Sequence, residues 1–373
     1  MRYLGGLSSR LSSAMRPWKP LDFSNSNFGR ISASQTLEEE TLPDHVASRY
    51  YPTRIGEVIR DRYQIIFIKA ASMGQGIDSE LKMYQRMSGA MSGATNHPGR
   101  NAIRSFSDWF LIDGPEDKHQ CLVHPPLFES VWEFLHRNLV RRLPNPVLAF
   151  TLRRVFLALD YLHTECQVIH TDIKANNIMF ELVDDSIFAK FEADELQNPS
   201  PRKELDERAI YMTRDLDMIP EKVGFPVLCD FGSAVLGGIL EVLWSYSIDI
   251  WSVGCMIWDI FEGGSLFTGN DPEFQKYRSR AHLAEMINLL GPPPPSLLAR
   301  TRQRQKFFSD VGDFHSAGLL RDVTPLERRE TKLQGKDKER FLRMMRRMLQ
   351  WEPEKRSSAK ELADDEWIRE QIC

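Results

Sequence analysis

Apolar residues fall along the chain in stretches of two periods, and those periods set the expected elements. Leu148, Leu152, Val155, Leu159 and Leu162 step by four, three, four and three, the spacing of one face of a helix. Asn145-Pro146 ahead of them is a start signal. "SIDIWSVGCMIWDIFEGG" is apolar on all sides and ends at Gly263-Gly264, so a helix there is expected inside a core. Ile77, Leu81 and Tyr84 in "DSELKMYQRM" have helical spacing. Tyr63 to Ile68 is a short run of β-formers, and "SFSDWFLIDGPEDKHQCLVHPP" reads as two strands around a Gly-Pro turn. "QVIH", "NIMF" and "PVLCD" are further short strands. The rest is helical, with loops at "GPPPPS" and "FFSDVGDFHSAG". Few strands followed by many helices predict an α+β protein with a small sheet lobe and a larger helical lobe.

Polar stretches mark the remaining organisation. Residues 1–45 are Ser-rich and aperiodic and read as a disordered tail. Arg2, Arg10, Arg16 and Lys19 precede the first acid, Asp22, which leaves a mitochondrial transit peptide as an alternative for the start. Residues 181–224, with "NPSPRKELDER" at their centre, read as an exposed insertion.

At 373 residues with 42% hydrophobic and 27% charged positions, the chain is long enough for one large globular domain. A net charge of −4 gives no reason to expect nucleic acid, and no run of 18 apolar residues offers a membrane span. Five cysteines without a C-x-x-C pair point to buried thiols in a reducing compartment. A monomer in the cytoplasm, the nucleus or both is expected.

Two short motifs carry chemistry. "VIHTDIKANNIMF" has the form H-x-D-x-K-x-x-N, which puts a carboxylate (Asp172), a cation (Lys174) and an amide oxygen (Asn177) on one loop between strands. Phosphoryl transfer needs a proton acceptor for the attacking hydroxyl, charge near the moving phosphate and oxygen ligands for magnesium. "LCDFGSA" adds Asp230, a carboxylate suited to bridging Mg²⁺ to the β- and γ-phosphates of ATP. Either motif alone is weak. In this order, after an amphipathic helix and before a buried D-x-W-S-x-G helix, they are strong.

With these motifs the chain resembles the eukaryotic protein kinases, and within them the SR-protein kinases. The resemblance rests on "HTDIK" (170–174), "DFGSA" (230–234), "YSIDIWSVGCMIWDIFEG" (246–263), "HLAEMINLLGPPP" (282–294) and "MLQWEPEKRSSAKELADDEWI" (348–368). It implies a two-lobed fold, with a reduced small lobe and hinge over residues 46–127 and a large helical lobe over 128–370 that contains the insertion. It implies ATP and Mg²⁺ as cofactors and a protein hydroxyl, in an Arg/Ser-rich substrate, as acceptor. Thr171 stands where most kinases have Arg, as in the SR-protein kinases, which implies activity without loop phosphorylation. "CLVHPPL" resembles the hinge, with His124 as gatekeeper, the Pro125 carbonyl accepting from the adenine amine and the Leu127 N–H donating to the ring. Glu80 matches the glutamate of the first helix.

Two parts of the resembled pattern are missing. There is no G-x-G-x-x-G strand turn, and Gly74 and Gly76 in "SMGQG" read as a simple loop. The strand lysine would fall at Ile65, fifteen positions before Glu80; Lys69, eleven before it, substitutes only if the strand shifts by four. Gly232 and Asp249 are 17 positions apart, too few for an activation segment ending in A-P-E. The A-P-E glutamate would fall at Gly237, which leaves Arg356 without its partner unless Glu241 swings in or Arg356 is solvated. Two losses with clean seams read as excised segments, as from exon skipping, a deletion or an incomplete gene model. The alternative to a serine/threonine kinase is therefore a catalytically impaired pseudokinase that serves as a scaffold.

Overall fold

The computed structural model describes residues 19–41, 46, 50–65, 77–92, 96–115, 118–183, 186–206, 208–214, 223–237, 245–301, 303–321 and 324–372. Lys69, Gly74, Gly76, Ile239, Glu241, the end of the Tyr63–Ile68 run and the transit-peptide region before residue 19 lie outside the described residues. The chain divides into two compact units, one of residues 1–75, 110–121 and 184–222, the other of 76–109, 122–183 and 223–373. Residues 46–127, expected as one lobe, are thus shared between the units.

In the second unit the helix Asn145–Tyr161 is fully enclosed along the predicted stripe, with Leu148, Leu152, Val155 and Leu159 all buried. Pro146 lies in its first turn, where the missing N–H costs nothing. The segment Pro98–Ala102 presses so closely on this helix that a Cβ on Gly99 would sit 1.8 Å from the Leu157 carbonyl oxygen. The apolar helix Ser247–Glu262 buries Ile250, Val253, Ile257, Ile260 and Phe261, and ends where Gly263 adopts φ +81°. The helix Gly335–Met348 adds Phe341, Leu342, Met344, Met345 and Met348 to the same core.

A three-stranded antiparallel sheet carries the site. Its central strand is Ile178–Leu182, flanked by Val223–Leu228 and Leu127–Ser130. A second pair, Val168–Ile169 with Val235–Leu236, brackets the loop that follows residue 169. The helix Ile77–Ser92 turns Leu81, Tyr84 and Met87 inward at the predicted spacing.

The first unit corrects two expectations. The insertion is not merely an exposed excursion: it forms the helix Ser186–Gln197 and the hairpin Arg202–Glu204/Ala209–Tyr211. Residues 19–41 are not a free tail. Ile31 N–H donates to Arg202 O and Arg202 N–H to Gly29 O, both at 3.0 Å, and the Arg202 guanidinium stacks 3.6 Å from the centre of the Phe28 ring. Lys203, only 3% exposed, donates to Gln35 O at 2.9 Å and to both Glu40 carboxylate oxygens. Glu195 is equally enclosed, taking the Ser200 amide and hydroxyl and the Arg214 guanidinium. Charges hidden in such pairs look, in a sequence, like a solvated loop.

Candidate active site

The loop after strand Val168–Ile169 is held from below by one carboxylate. Asp249, in the first turn of helix Ser247–Glu262, is 0% exposed. Its oxygens accept the His170 N–H at 2.9 Å and the Thr171 N–H at 2.8 Å, and His163 Nε2 lies 2.9 Å away. A negative charge at a helix N-terminus is also favoured by the helix dipole. Thr171 takes φ +69°, a conformation uncommon for a branched residue, and its hydroxyl donates to Ser233 O at 2.8 Å.

His170 ties the loop to the strand that leads to Asp230. Its Nε2 donates to Cys229 O at 3.0 Å, and its Nδ1 accepts the Asp172 N–H at 3.3 Å. Both nitrogens are thus used by the neutral ring, and burial lowers the pKa of His170 accordingly. Cys229 N–H in turn donates to Asn177 O at 2.8 Å. These two bonds set Asp230 beside Asn177.

Asp172, Lys174 and Asn177 come together as expected. Lys174 Nζ donates to Asp172 Oδ2 at 2.6 Å, and Asn177 Nδ2 donates to the same oxygen at 3.0 Å and to Asp172 O at 2.9 Å. Burial works against ionisation of Asp172, but the Lys174 bond and charge and the Asn177 bond outweigh it, so the carboxyl titrates below its usual range. Because the Asn177 amide nitrogen is spent on Asp172, its oxygen is the end left for a cation. Asp230, exposed at φ +66°, accepts the Gly232 N–H at 3.3 Å and keeps carboxylate oxygens open. An amide oxygen and a carboxylate are the hard donors magnesium prefers. Among the described residues no three His, Cys, Asp or Glu side chains converge on a metal position.

A column of rings sets the turn at Phe231. Phe106 stacks on Tyr84 at 5.1 Å, Tyr84 meets Phe231 at 5.3 Å, and Phe231 meets His170 at 5.1 Å. Glu80, one turn before Tyr84, accepts the Phe231 backbone N–H; burial, then the Asp230 charge, raises its pKa. His124 lies 4.8 Å from Tyr84, and its Nδ1 donates to Ser105 O at 2.9 Å. Pro125 is exposed at the sheet margin, and Leu127 opens the strand, opposite Glu181.

Arg356 is neither solvated nor without partners. It donates to Gln350 O and Ser247 O, both at 2.9 Å, and its guanidinium lies 4.9 Å from the centre of the Trp251 ring. Burial lowers its pKa to about 10. Among the described residues its partners are backbone carbonyls and a π face. Sequence reasoning assigned no role to Asp249, although an acid in the first turn of a largely apolar helix was a usable signal.

The geometry defines a protein-kinase-like α+β fold in which the loop of Asp172, Lys174 and Asn177 stands beside Asp230. The protein kinase domain profile matches residues 239–368. The chain is 35% identical to a serine/threonine protein kinase of Aspergillus fumigatus over 404 residues, covering 96% of this chain and 98% of the relative. That alignment is longer than the chain itself, so it includes positions at which this chain has no residue. The serine/threonine-protein kinase SRPK of Physarum polycephalum is 23% identical over 384 residues, covering 87% of this chain and 90% of the relative. The dual specificity protein kinase CLK2 of Mus musculus is 29% identical over 284 residues, 69% of this chain and 49% of the relative. The chain belongs to the serine/threonine protein kinase family, close to the SR-protein kinases.

Proposed function

We propose that this chain transfers the γ-phosphoryl group of Mg-ATP to a serine or threonine hydroxyl of a protein. The observation that supports it most is the Asp172–Lys174–Asn177 cluster, fixed through His170 and Asp249 and joined to Asp230 by the Cys229 backbone. Bound Mg-ATP supplies the phosphoryl group and the metal charge that offsets its oxygens. Asp172 orients the acceptor hydroxyl and takes its proton; ionised and hydrogen-bonded, it is in the state that task requires. Lys174 steadies the charge that develops on the transferred group. Asn177 and Asp230 hold the metal, the Pro125 carbonyl and Leu127 N–H hold the adenine, and Glu80 and Lys69 belong to the nucleotide's surroundings.

An Arg/Ser-rich acceptor is the substrate that the likeness to SR-protein kinases supports. The test is phosphotransfer from labelled ATP to an Arg-Ser peptide. Asp172→Ala and Asp230→Ala are each expected to lower turnover at least about a thousandfold. Turnover that survives both substitutions would sink the assignment. One observation favours a second reading, a scaffold with impaired turnover: among the described residues Arg356 is held by backbone carbonyls and Trp251 and by no carboxylate. Partner capture without turnover would support that reading.

A further inference from the structure

Arg104 stands where the backbone places it at the deep end of the candidate nucleotide site. Ile103 bridges Leu228, and Arg104 N–H donates to Leu228 O at 2.8 Å, two residues before Asp230. The next residue, Ser105, receives the His124 ring at 2.9 Å, immediately before the hinge prolines. Across from this strand, helix Ile77–Ser92 presents Glu80 and Tyr84. Tyr84 is 4.8 Å from His124 and 5.3 Å from Phe231, so rings pack along two sides of this region. Arg104 is half-buried within it, and its Nε is buried with no hydrogen-bond acceptor among the described residues. Its charge acts on Glu80, Tyr84, His124 and Cys229.

A buried guanidinium donor left unspent has capacity for an anion. Glu80 feels the Arg104 charge, but among the described residues it does not accept the Arg104 Nε–H. A nucleotide phosphate is an anion that a planar guanidinium binds with two parallel hydrogen bonds.

We propose that Arg104 is the nucleotide-site cation of this chain: from the strand beside Asp230, it engages phosphate oxygens of the bound nucleotide in place of the strand lysine that the chain lacks. This rests on the reading that the chain binds ATP. It also makes the four-residue strand shift needed by Lys69 unnecessary, because Arg104 supplies the cation. Arg104 is a binding residue in this role, and Glu80 a positioning residue that shares its field.

Calorimetric titration of the full chain with Mg-ATP and with adenosine separates the outcomes. The unsubstituted protein should bind Mg-ATP more tightly than adenosine. Arg104→Gln should weaken Mg-ATP by about 10–100-fold, the worth of charge-assisted bonds to a phosphate, while adenosine affinity holds within about twofold. Arg104→Lys should recover part of the loss, which a packing role for the side chain would not predict, and it serves as the readout if Arg104→Gln does not fold. Equal weakening of both ligands in Arg104→Gln, or no change in Mg-ATP affinity, overturns the role of Arg104 alone. So does loss of the ATP preference in Lys69→Gln with Arg104→Gln unaffected. An unsubstituted protein that binds neither ligand overturns the nucleotide reading itself, and this role with it.

Discussion

Asp249 accepts two backbone N–H groups of the active-site loop and contacts His163, all at 2.8 to 2.9 Å, in a place with no access to water. Both carboxylate oxygens face donors, so an amide in the same volume must turn an NH₂ toward an N–H. Asp249→Asn is therefore expected to destabilise the fold by about 1–3 kcal/mol, the cost of stranding a buried donor. It should also release the strain of Thr171 and loosen Asp172. Urea unfolding measures the first effect, and an unshifted midpoint would refute the anchoring role. His124 gives a pH signature at the same scale. Burial, then the Arg104 charge, lowers its pKa from 6.5 to about 4. Between those values the unfolded chain binds a proton that the folded ring refuses, so the unfolded state gains as pH falls. The contribution of His124 is whole above pH 6.5 and is lost progressively toward about 4. His170, buried and shifted the same way, adds to the slope. His124→Gln should flatten, without abolishing, the fall in urea midpoint across that window.

Among the elements, the helix Asn145–Tyr161 depends on a neighbour that cannot carry a side chain. At Gly99 a Cβ would meet backbone, the Leu157 carbonyl, at 1.8 Å, and the Tyr161 Cβ at 2.8 Å. A carbonyl inside a helix cannot rotate aside as a side chain can. Gly99→Ala should force Pro98–Ala102 away from the helix and cost at least about 1–3 kcal/mol, read by chemical denaturation. The two helices Asn145–Tyr161 and Ser247–Glu262 were legible in the sequence because their residues bury against many neighbours at a fixed period. The loop chemistry was legible because Asp172, Lys174 and Asn177 are close in sequence as well as in space. Gly99 was not, since nothing in "NHPGRN" says that a helix 50 residues later lies against it. Arg104 was hidden for a similar reason. Its partners Glu80, His124 and Cys229 come from three separate segments.

In the whole molecule the same blindness explains the first unit. Residues 19–41 meet residues 196–203 across some 170 positions of chain, with polar and charged groups that carry no periodic signal. Their stability rests on pairs and not on an apolar stripe. Lys203 is the centre of one such pair: its ammonium is held by the Gln35 carbonyl and the Glu40 carboxylate and is almost without water. Glu40→Gln leaves that charge buried without its counter-ion and should cost roughly 3–5 kcal/mol. Replacing both members, Glu40→Gln with Lys203→Met, removes the charge as well as its partner and should recover most of the loss. Amide hydrogen exchange reads both variants. The hairpin Arg202–Tyr211 should lose protection in the single variant and regain it in the double. The helix Asn145–Tyr161, which shares no partner with the pair, should keep its protection in both. Equal loss of protection in the single and double variants would mean that the ammonium supports the hairpin through its bond to Gln35, and that the carboxylate is incidental.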